Sequence, residues 1–286
     1  MGFGRSCAQT RWTTPLGNLL SVLIMKTLNI AVNPRGIAHV EMARPVVFNA
    51  FDEIMIEELD STFEALGKNN LVRAIVLSGL GRAFSAGADL QWMERASKAT
   101  QEDNLSDARG FASMLHRIAT CPQPTVARVH GVALGGGVGL VCACDMAIAS
   151  EDAKFAVSEA RFGILPSIIG PYLTNAVGKR QAKRLALTAS RIDARQAKEI
   201  GLVQQVVPAA ELDMAISELL GHVLQNGPAA LSEIKTLFAQ LEVGDISPDV
   251  RELTAQTICR VRMTAEAREG FSAFFSKRPP KWMTTE

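Results

Sequence analysis

A run of glycines between residues 131 and 139 constrains the fold of this chain more than any other segment. The stretch reads Gly131-Val-Ala-Leu-Gly-Gly-Gly-Val-Gly139, follows the strand-like Thr125-Val-Ala-Arg-Val129 and precedes the helix-like run Leu140-Val-Cys-Ala-Cys144. Because glycine has no Cβ, another backbone or a ligand can approach it closely. The pattern predicts a strand-to-helix turn with bare N–H groups, and helix N-termini of this kind bind negatively charged oxygen atoms.

The composition is that of an ordinary globular protein and excludes several function classes. The chain has 286 residues, of which 48% are hydrophobic and 21% are charged, which suits one large domain or one domain with a smaller helical part. The formal net charge is +1 and no basic block is present, so nothing indicates nucleic-acid binding. No apolar run reaches the roughly 20 residues that a membrane-spanning helix needs. We therefore expect neither a nucleic-acid nor a membrane partner.

The cysteines and histidines are not spaced as metal ligands are. The five cysteines form no C-x-x-C pair and the four histidines are scattered, whereas zinc needs converging nitrogen and sulfur ligands. An odd number of cysteines, two of them in an apolar run, is typical of a reducing compartment. We therefore expect no metal site and a cytoplasmic protein.

The first 24 residues differ from the rest of the chain. Residues 1–40 contain no Asp or Glu, and the basic Arg5, Arg11 and Lys26 give this region the character of a targeting segment. Alternatively, Met25 is the true start and the earlier residues are an upstream extension. We favour this second interpretation, since the first clear strand begins at Lys26-Thr-Leu-Asn-Ile30.

The remaining pattern divides into two parts. Residues 25–205 alternate strand-like and helix-like segments, beginning with a hairpin around Asn33-Pro-Arg-Gly36 and a helix capped by Asp52. Residues 206–286 are mostly helical. This rhythm predicts an α/β fold with a parallel-containing sheet and crossover helices. A nicotinamide-binding fold is disfavoured, because Gly79-Leu-Gly-Arg-Ala-Phe84 lacks the last glycine of G-x-G-x-x-G.

Three segments carry the chemistry. Gly81-Arg-Ala-Phe-Ser-Ala-Gly-Ala-Asp89 and the turn Gly135–Gly137 both leave backbone unshielded, and one N–H from each could bind the same carbonyl oxygen. Acyl transfer would need a Ser or Cys nucleophile beside a His base, and no such spacing is present. Proton transfer next to a carbonyl needs only a carboxylate, and Glu159 is available among apolar neighbours that raise the pKa of a carboxyl group.

These segments together resemble the crotonase, or enoyl-CoA hydratase/isomerase, family. The resemblance rests on Arg82–Asp89, Pro124–Gly137, Cys144-Asp145 and Glu159, and it runs from about residue 28 to the Phe275–Trp282 tail. It implies a spiral of ββα units, a helical C-terminal trimerisation region, and homotrimers or dimers of trimers. It also implies an acyl-CoA thioester as substrate, with coenzyme A entering only as part of that substrate and no separate cofactor.

The resemblance also implies roles for individual residues. The backbone N–H groups of Ala88 and Gly136 would form the oxyanion hole, and Glu159 would be the acid–base residue. The loop Arg44–Ala50 would contact coenzyme A, although Val46 stands where relatives often have lysine, as does Gln91. The remaining implied contacts with substrate or coenzyme A are those of Ala86, Asp89, Gly135 and Lys277.

Gly139 is the main departure from the family pattern. Two-carboxylate hydratases have a glutamate at this position, where it helps to activate water. The segments Leu90–Met93, Glu102–Ala108 and Gly137–Leu140 are similar to bacterial methylglutaconyl-CoA hydratase-like members, which also lack that glutamate. We therefore expect a hydratase that uses Glu159 alone.

Two alternatives remain open. A Δ3-Δ2 enoyl-CoA isomerase needs one base, which Glu159 would supply, and a third hypothesis is a thioester-binding protein without activity. If the acyl group carries its own carboxylate, Arg95 or Arg109 would be the candidate partners. Acyl specificity is expected to depend on the loop between Trp92 and Asp107 and on the residues near Ile164–Tyr172.

Overall fold

The N-terminal hairpin begins the larger of two sheets. The computed structural model describes residues 21–283. Strands β2 (Leu28–Val32) and β3 (Ile37–Met42) pair antiparallel, as predicted. The turn between them is closed by the Asn33 side chain, which accepts hydrogen bonds from the N–H groups of Arg35 and Ile37, both 3.0 Å long. Gly36 completes the turn with a φ of +78°, which a residue with a Cβ rarely adopts.

The last four residues of the predicted N-terminal extension have regular structure. Residues 21–24 form a strand, β1 (Ser21–Ile24), that pairs antiparallel with β2. Its ladder contributes backbone hydrogen bonds that the sequence pattern did not indicate, because a four-residue edge strand has too few positions to show a period. The rest of the predicted extension lies outside the described residues.

The larger sheet is mainly parallel, which confirms the predicted α/β class. Its order is β1-β2-β3-β4-β5-β7-β10, and every pair from β3 onward is parallel. The strands after β3 are β4 (Ala74–Gly79), β5 (Thr125–Val129), β7 (Met146–Ser150) and β10 (Gln205–Val207). The central strands are buried on both faces, as their continuous apolar runs require.

A second sheet of three short strands includes the first part of the glycine-rich run. It has the order β6-β8-β9, made of β6 (Val132–Leu134), β8 (Lys154–Ala156) and β9 (Ile192–Asp193). The glycine run is therefore not a direct strand-to-helix turn, since β6 occupies its first part. The helix that follows begins at Gly136, four residues before the expected apolar run.

Ten helices cover the described residues. In chain order they are α1 (Glu53–Gly67), α2 (Leu90–Lys98), α3 (Gln101–Ala119), α4 (Gly136–Ala143), α5 (Gly170–Thr188), α6 (Ala194–Glu199), α7 (Leu212–Leu224), α8 (Pro228–Phe238), α9 (Pro248–Arg262) and α10 (Ala265–Phe275). Short 3₁₀ turns lie at Pro45–Val47, Glu159–Phe162, Ala209–Glu211 and Lys281–Met283. None of these helices combines the length and apolarity needed to cross a membrane.

The helices cover both faces of the larger sheet. On one face, α1, α3, α4 and α5 enclose the main core, in which Phe51, Phe63, Phe84 and Met114 are buried. On the other face, α7 packs against alternate residues of β3, β4 and β5. Asp52 caps α1 through a 3.0 Å bond from the N–H of Met55, as its position in the sequence predicted.

The C-terminal helices are attached to the sheet by polar contacts. Lys235 on α8 bonds to the Asp145 carboxylate at 2.6 Å and to the carbonyl oxygen of Gln123 at 3.1 Å. Arg73, just before β4, donates to the carbonyl oxygens of Leu224, Asn226 and Trp282 at 3.0–3.3 Å. These bonds place the C-terminal segment against the start of the parallel strands.

Replacing Arg73 by alanine is expected to lower stability by about 2 kcal/mol, since hydrogen bonds from a charged donor contribute about 1.5–3 kcal/mol and the freed carbonyls regain water. The matched control is Arg35→Ala, because the Arg35 side chain is exposed at the hairpin tip and only its backbone N–H is bonded. Urea-unfolding midpoints at one protein concentration should fall for the first variant alone. Equal midpoints for the two variants would contradict this account of the C-terminal attachment.

Candidate active site

Buried side-chain hydrogen bonds hold the loop after β4 in place. Asn49 is fully buried, and its Nδ2 donates to the carbonyl oxygens of Leu80 at 2.9 Å and Ala83 at 2.8 Å. Ser85 Oγ donates to the Asn49 carbonyl oxygen at 2.8 Å and accepts from the Gly87 N–H at 3.1 Å. The backbone that leads to Ala88 is therefore fixed before any ligand binds.

The backbone N–H of Ala88 is available to a ligand. Ala88 forms a parallel bridge with Phe51, in which the Phe51 N–H donates to the Gly87 carbonyl at 2.8 Å and the Phe51 carbonyl accepts from the Asp89 N–H at 3.0 Å. In such a parallel bridge, the residue between the two bonded neighbours points its own N–H away from the partner strand, and here that residue is Ala88. Within residues 21–283, the Ala88 N–H has no hydrogen-bond acceptor.

Gly87 brings this loop against the glycine-rich turn. Its φ is +86°, and a Cβ at this position would lie 2.5 Å from the carbonyl oxygen of Leu134 and 3.3 Å from the backbone nitrogen of Gly136. No residue larger than glycine fits this contact without moving the backbone. The two unshielded turns identified in the sequence are thus adjacent in space.

Gly136 supplies the second free N–H. Gly135 has a φ of +49°, and its own N–H donates to the carbonyl oxygen of Ala156 at 2.8 Å. Gly136 is the first residue of α4, so its N–H has no acceptor within the helix. The described residues also offer no other acceptor to it.

Ala88 and Gly136 line the same pocket, as an oxyanion hole requires. Each donor of such a pair stabilises the developing charge on a carbonyl oxygen by about 2.7–4 kcal/mol in the transition state. The arrangement is pre-formed, because the Ser85 and Asn49 bonds fix one donor and the helix fixes the other.

The pocket is small and mostly apolar. Its volume is about 240 Å³, and its walls come from α2, the first half of α3 and the segment Ile164–Ile169. Phe51 and Phe111 pack beside Gly136 with their ring centroids 5.1 Å apart. Both segments that the sequence indicated for acyl specificity therefore line this cavity, although the first is helical rather than a loop.

Glu159 extends its carboxyl group into this pocket. It begins the 3₁₀ turn Glu159–Phe162, and its Oε1 lies 3.3 Å from where a Cβ on Gly135 would be. Its Oε2 is buried and has no hydrogen-bond partner in the described chain. Burial raises the pKa of Glu159 above its ordinary value, against the opposing effect of the backbone N–H groups of Glu159 and Ser158. A carboxyl group in this state is suited to general acid–base catalysis.

The space beside Gly139 is filled by hydrocarbon. A side chain at this position would overlap Cγ2 of Ile169 and would lie 3.5 Å from Cδ1 of Leu115. Ile169 is buried at the N-terminus of α5. An apolar wall thus occupies the place where the family pattern has its first glutamate, and Glu159 is the only carboxylate at this end of the pocket among the described residues.

Asp89 has a structural role. Its Oδ1 accepts from the N–H groups of Gln91 and Trp92, at 2.8 and 3.3 Å, and thereby caps α2. Its Oδ2 accepts from Arg44 at 3.0 Å, and Arg44 also bonds to the carbonyl oxygen of Ala50 at 2.6 Å. Asp89 is buried, does not line the pocket and anchors the two loops to each other; its contact with substrate stays a prediction.

The other residues implied as coenzyme A contacts lie outside this pocket. Val46 is 92% exposed on the 3₁₀ turn Pro45–Val47, and Gln91 is exposed at the start of α2. The Ala86 N–H donates to the Phe48 carbonyl oxygen at 2.9 Å, and Lys277 is exposed after α10 with a φ of +50°. Their contact with coenzyme A stays a prediction. Residues 21–283 contain no group of three or more His, Cys, Asp or Glu side chains that could hold a metal ion.

Two pocket residues, at the edge of or within the segments predicted to set acyl specificity, had no predicted role of their own. Trp92 lies on α2, at the start of a segment predicted to be a loop, although the Asp89 cap and the spacing of Trp92, Met93 and Ala96 indicate a helix. Ile169 had no local signal, because its importance comes from a contact with Gly139, 30 residues earlier in the chain.

Glu159→Gln is expected to raise stability more at high pH than at low pH. The unfolded carboxyl group has a pKa of about 4.3, and burial raises the folded pKa, so the free energy of unfolding of the wild type falls as pH rises between the two values. Glutamine does not titrate. The difference in urea midpoint between variant and wild type should therefore be larger near pH 8 than near pH 4. A difference that does not depend on pH would contradict the burial effect.

Known proteins that are similar to this chain are named as enoyl-CoA hydratases and as isomerases of coenzyme A thioesters. Residues 33–285 match the family model described as Enoyl-CoA hydratase/isomerase. An enoyl-CoA hydratase structure from Shewanella pealeana is 38% identical, with a TM-score of 0.86 over 90% of this chain and 96% of that one. One from Mycobacterium smegmatis is 34% identical, with a TM-score of 0.85 over 91% and 100%. The 1,2-epoxyphenylacetyl-CoA isomerase of Escherichia coli is 29% identical over 87% of this chain and 95% of its own. The chain belongs to the enoyl-CoA hydratase/isomerase family, has the crotonase fold, and is an enzyme of the family that acts on coenzyme A thioesters.

Proposed function

We propose that the protein adds water to the double bond of a 2-enoyl-CoA thioester and that Glu159 is its one acid–base residue. The backbone N–H groups of Ala88 and Gly136 bind the thioester oxygen. The observation that carries the proposal is the unpartnered, buried Oε2 of Glu159 in the same small pocket as these two free donors.

One carboxylate is sufficient for addition to a single face of the double bond. The water oxygen bonds to C3 while Glu159 takes one of its protons, and the electron pair of the double bond moves toward the thioester oxygen. Ala88 and Gly136 stabilise the resulting enolate. Glu159 then gives its proton to C2, which regenerates the carboxylate and completes the addition of one water molecule. The raised pKa of Glu159 makes its carboxylate a stronger base, which favours the uptake of the proton from water.

The relatives support the hydratase assignment by their names. Both solved structures described above are titled as enoyl-CoA hydratases, and each is more similar in sequence to this chain than the isomerase is. The family model itself includes both reactions.

A Δ3-Δ2 enoyl-CoA isomerase is the second candidate, and the Ile169 wall favours it. An isomerase moves a proton between two carbons and needs no second group to hold water. The hydrocarbon of Ile169 and Leu115 beside Gly139 offers no polar partner for a nucleophilic water on that side. The two reactions share the oxyanion hole and Glu159, and they differ in whether water enters the product.

The acyl group remains a separate question. The sequence resembles methylglutaconyl-CoA hydratase-like members, in which case Arg95 or Arg109 would pair with a substrate carboxylate. Arg95 instead donates to both oxygens of Glu53, at 2.7 and 2.8 Å, and neither arginine lines the pocket. We therefore propose an uncharged acyl group of modest size.

Glu159→Gln is expected to lower the rate of hydration of crotonyl-CoA by about 10²–10⁴-fold, the usual contribution of a general acid–base residue. The assay follows loss of the absorbance of the conjugated thioester and detects the 3-hydroxyacyl product by mass. The matched control is Glu151→Gln, which removes an exposed carboxylate elsewhere and should retain the wild-type rate.

The same preparation is then given a 3-enoyl-CoA. Hydration of crotonyl-CoA without conversion of the 3-enoyl thioester supports the hydratase. Conversion of the 3-enoyl thioester without a hydroxy product supports the isomerase instead. Turnover of either substrate at the wild-type rate by Glu159→Gln would refute the role of Glu159 in both.

We also propose that the protein assembles as a homotrimer or a dimer of trimers. The C-terminal helices and the segment between α8 and α9 expose large apolar side chains, including Phe238, Ile246, Phe271, Phe274 and Phe275. A surface of this kind is typical of a subunit interface. Assembly through it would shield these side chains from water.

Charged substitutions on this surface are expected to break the assembly. Phe274→Glu places a charge on a side chain that is 78% exposed in the single chain. Light scattering after gel filtration should give a mass of three or six chains for the wild type and a smaller mass for the variant. A monomeric wild type would refute the proposal.

A further inference from the structure

A hydrogen bond between α2 and α3 closes one side of the active-site pocket. The Trp92 indole Nε1 donates to Asp107 Oδ2 at 3.1 Å. Trp92 also packs near Phe51, with ring centroids 6.4 Å apart. Both Trp92 and Asp107 line the pocket that contains Glu159, and both line a neighbouring surface groove of about 430 Å³. The side chains of Trp92 and Asp107 therefore form a wall that separates the two cavities.

This wall is negatively charged on both sides. Asp107 and Glu159 are the only ionisable side chains among the described residues that line the pocket. Asp107 accepts a hydrogen bond from a neutral indole, which does not compensate its negative charge. An acyl chain that extends from the oxyanion hole toward α3 meets this carboxylate.

The groove beyond the wall is acidic as well. Its ionisable lining residues are Glu53, Glu57, Asp60 and Asp107. Arg95 is engaged with Glu53 and Arg117 with Asp60, so neither arginine is free for a ligand.

We propose that Asp107, held by Trp92, is a specificity-determining residue that admits uncharged acyl groups and rejects acyl groups with a distal carboxylate. This rests on the proposed function, since it concerns the acyl group bound beside Glu159. Asp107 acts on the bound acyl group through its charge, and Trp92 positions it.

The physical reason is like-charge repulsion in a partly dehydrated pocket. Two negative charges a few ångströms apart repel strongly where water is scarce, and the repulsion weakens in bulk solvent. We expect a penalty of about tenfold or more in kcat/KM for the charged acyl group, because the surrounding apolar walls limit screening.

Two thioesters of equal shape isolate the effect of charge. One is glutaconyl-CoA, whose acyl group ends in a carboxylate. The other is its neutral isostere, in which a primary carboxamide replaces that carboxylate. The ratio of kcat/KM for the neutral over the charged thioester is the measurement, and the wild type should favour the neutral one by about tenfold or more.

Three variants separate charge from shape. Asp107→Asn keeps an oxygen that accepts from Trp92 and removes the charge, so the ratio should fall by about tenfold, toward one. Trp92→Phe removes the hydrogen bond and keeps the charge, so the neutral thioester should still be preferred. Glu102→Gln removes one negative charge from the same helix outside the pocket, and its ratio should equal that of the wild type.

The outcomes distinguish this inference from the proposed function. Turnover of the neutral thioester with equal or faster turnover of glutaconyl-CoA by the wild type would overturn the inference and leave the proposed function intact. An unchanged ratio in Asp107→Asn would also overturn it. A selective loss of glutaconyl-CoA turnover in Arg95→Ala would show that the arginine binds the carboxylate instead. Failure of the wild type to convert either thioester in the hydration and isomerisation assays would refute the proposed function itself.

Discussion

The close approach of two backbone turns is the contact on which the active site depends. Gly87 places the loop after β4 against Leu134 and Gly136, where a Cβ would lie 2.5 Å from a carbonyl oxygen. This contact brings two N–H groups without acceptors to one pocket, while Asn49 and Ser85 hold the first turn through buried hydrogen bonds. The donors are therefore oriented before substrate binds, which is the condition under which they stabilise developing charge most effectively.

The second property of the site is that few charged side chains line its pocket. Glu159 has a raised pKa because burial removes water from its carboxyl group, and one of its oxygens has no protein partner in the described chain. Ile169 fills the place beside Gly139 and leaves this carboxylate to work alone. In such surroundings the charge of the other pocket carboxylate, Asp107, interacts more strongly with a second charge at the same distance than it would in water. In the proposed function and the further inference, catalysis and selectivity therefore both depend on two carboxylates among apolar walls.

The sequence predicted the local parts of this site better than the long-range ones. Asp52 as a helix cap and Asn33 in the hairpin turn were predictable because capping and turn chemistry act over three or four residues. Glu159 was identified from its apolar neighbours and from the family resemblance. The contact of Ile169 with Gly139 depends on how α5 packs against α4, which no local pattern contains. Strand β6 was missed because three residues within a glycine run show no alternation.

Deuterium exchange at the α-carbon of a saturated acyl-CoA thioester tests the central claim most directly. Such a thioester can be neither hydrated nor isomerised, so exchange in heavy water reports only proton transfer by Glu159 and enolate stabilisation by Ala88 and Gly136. If the account is correct, the wild-type protein incorporates deuterium at this carbon, and Glu159→Gln loses the exchange while still binding the thioester. Exchange at the wild-type rate in Glu159→Gln would contradict it.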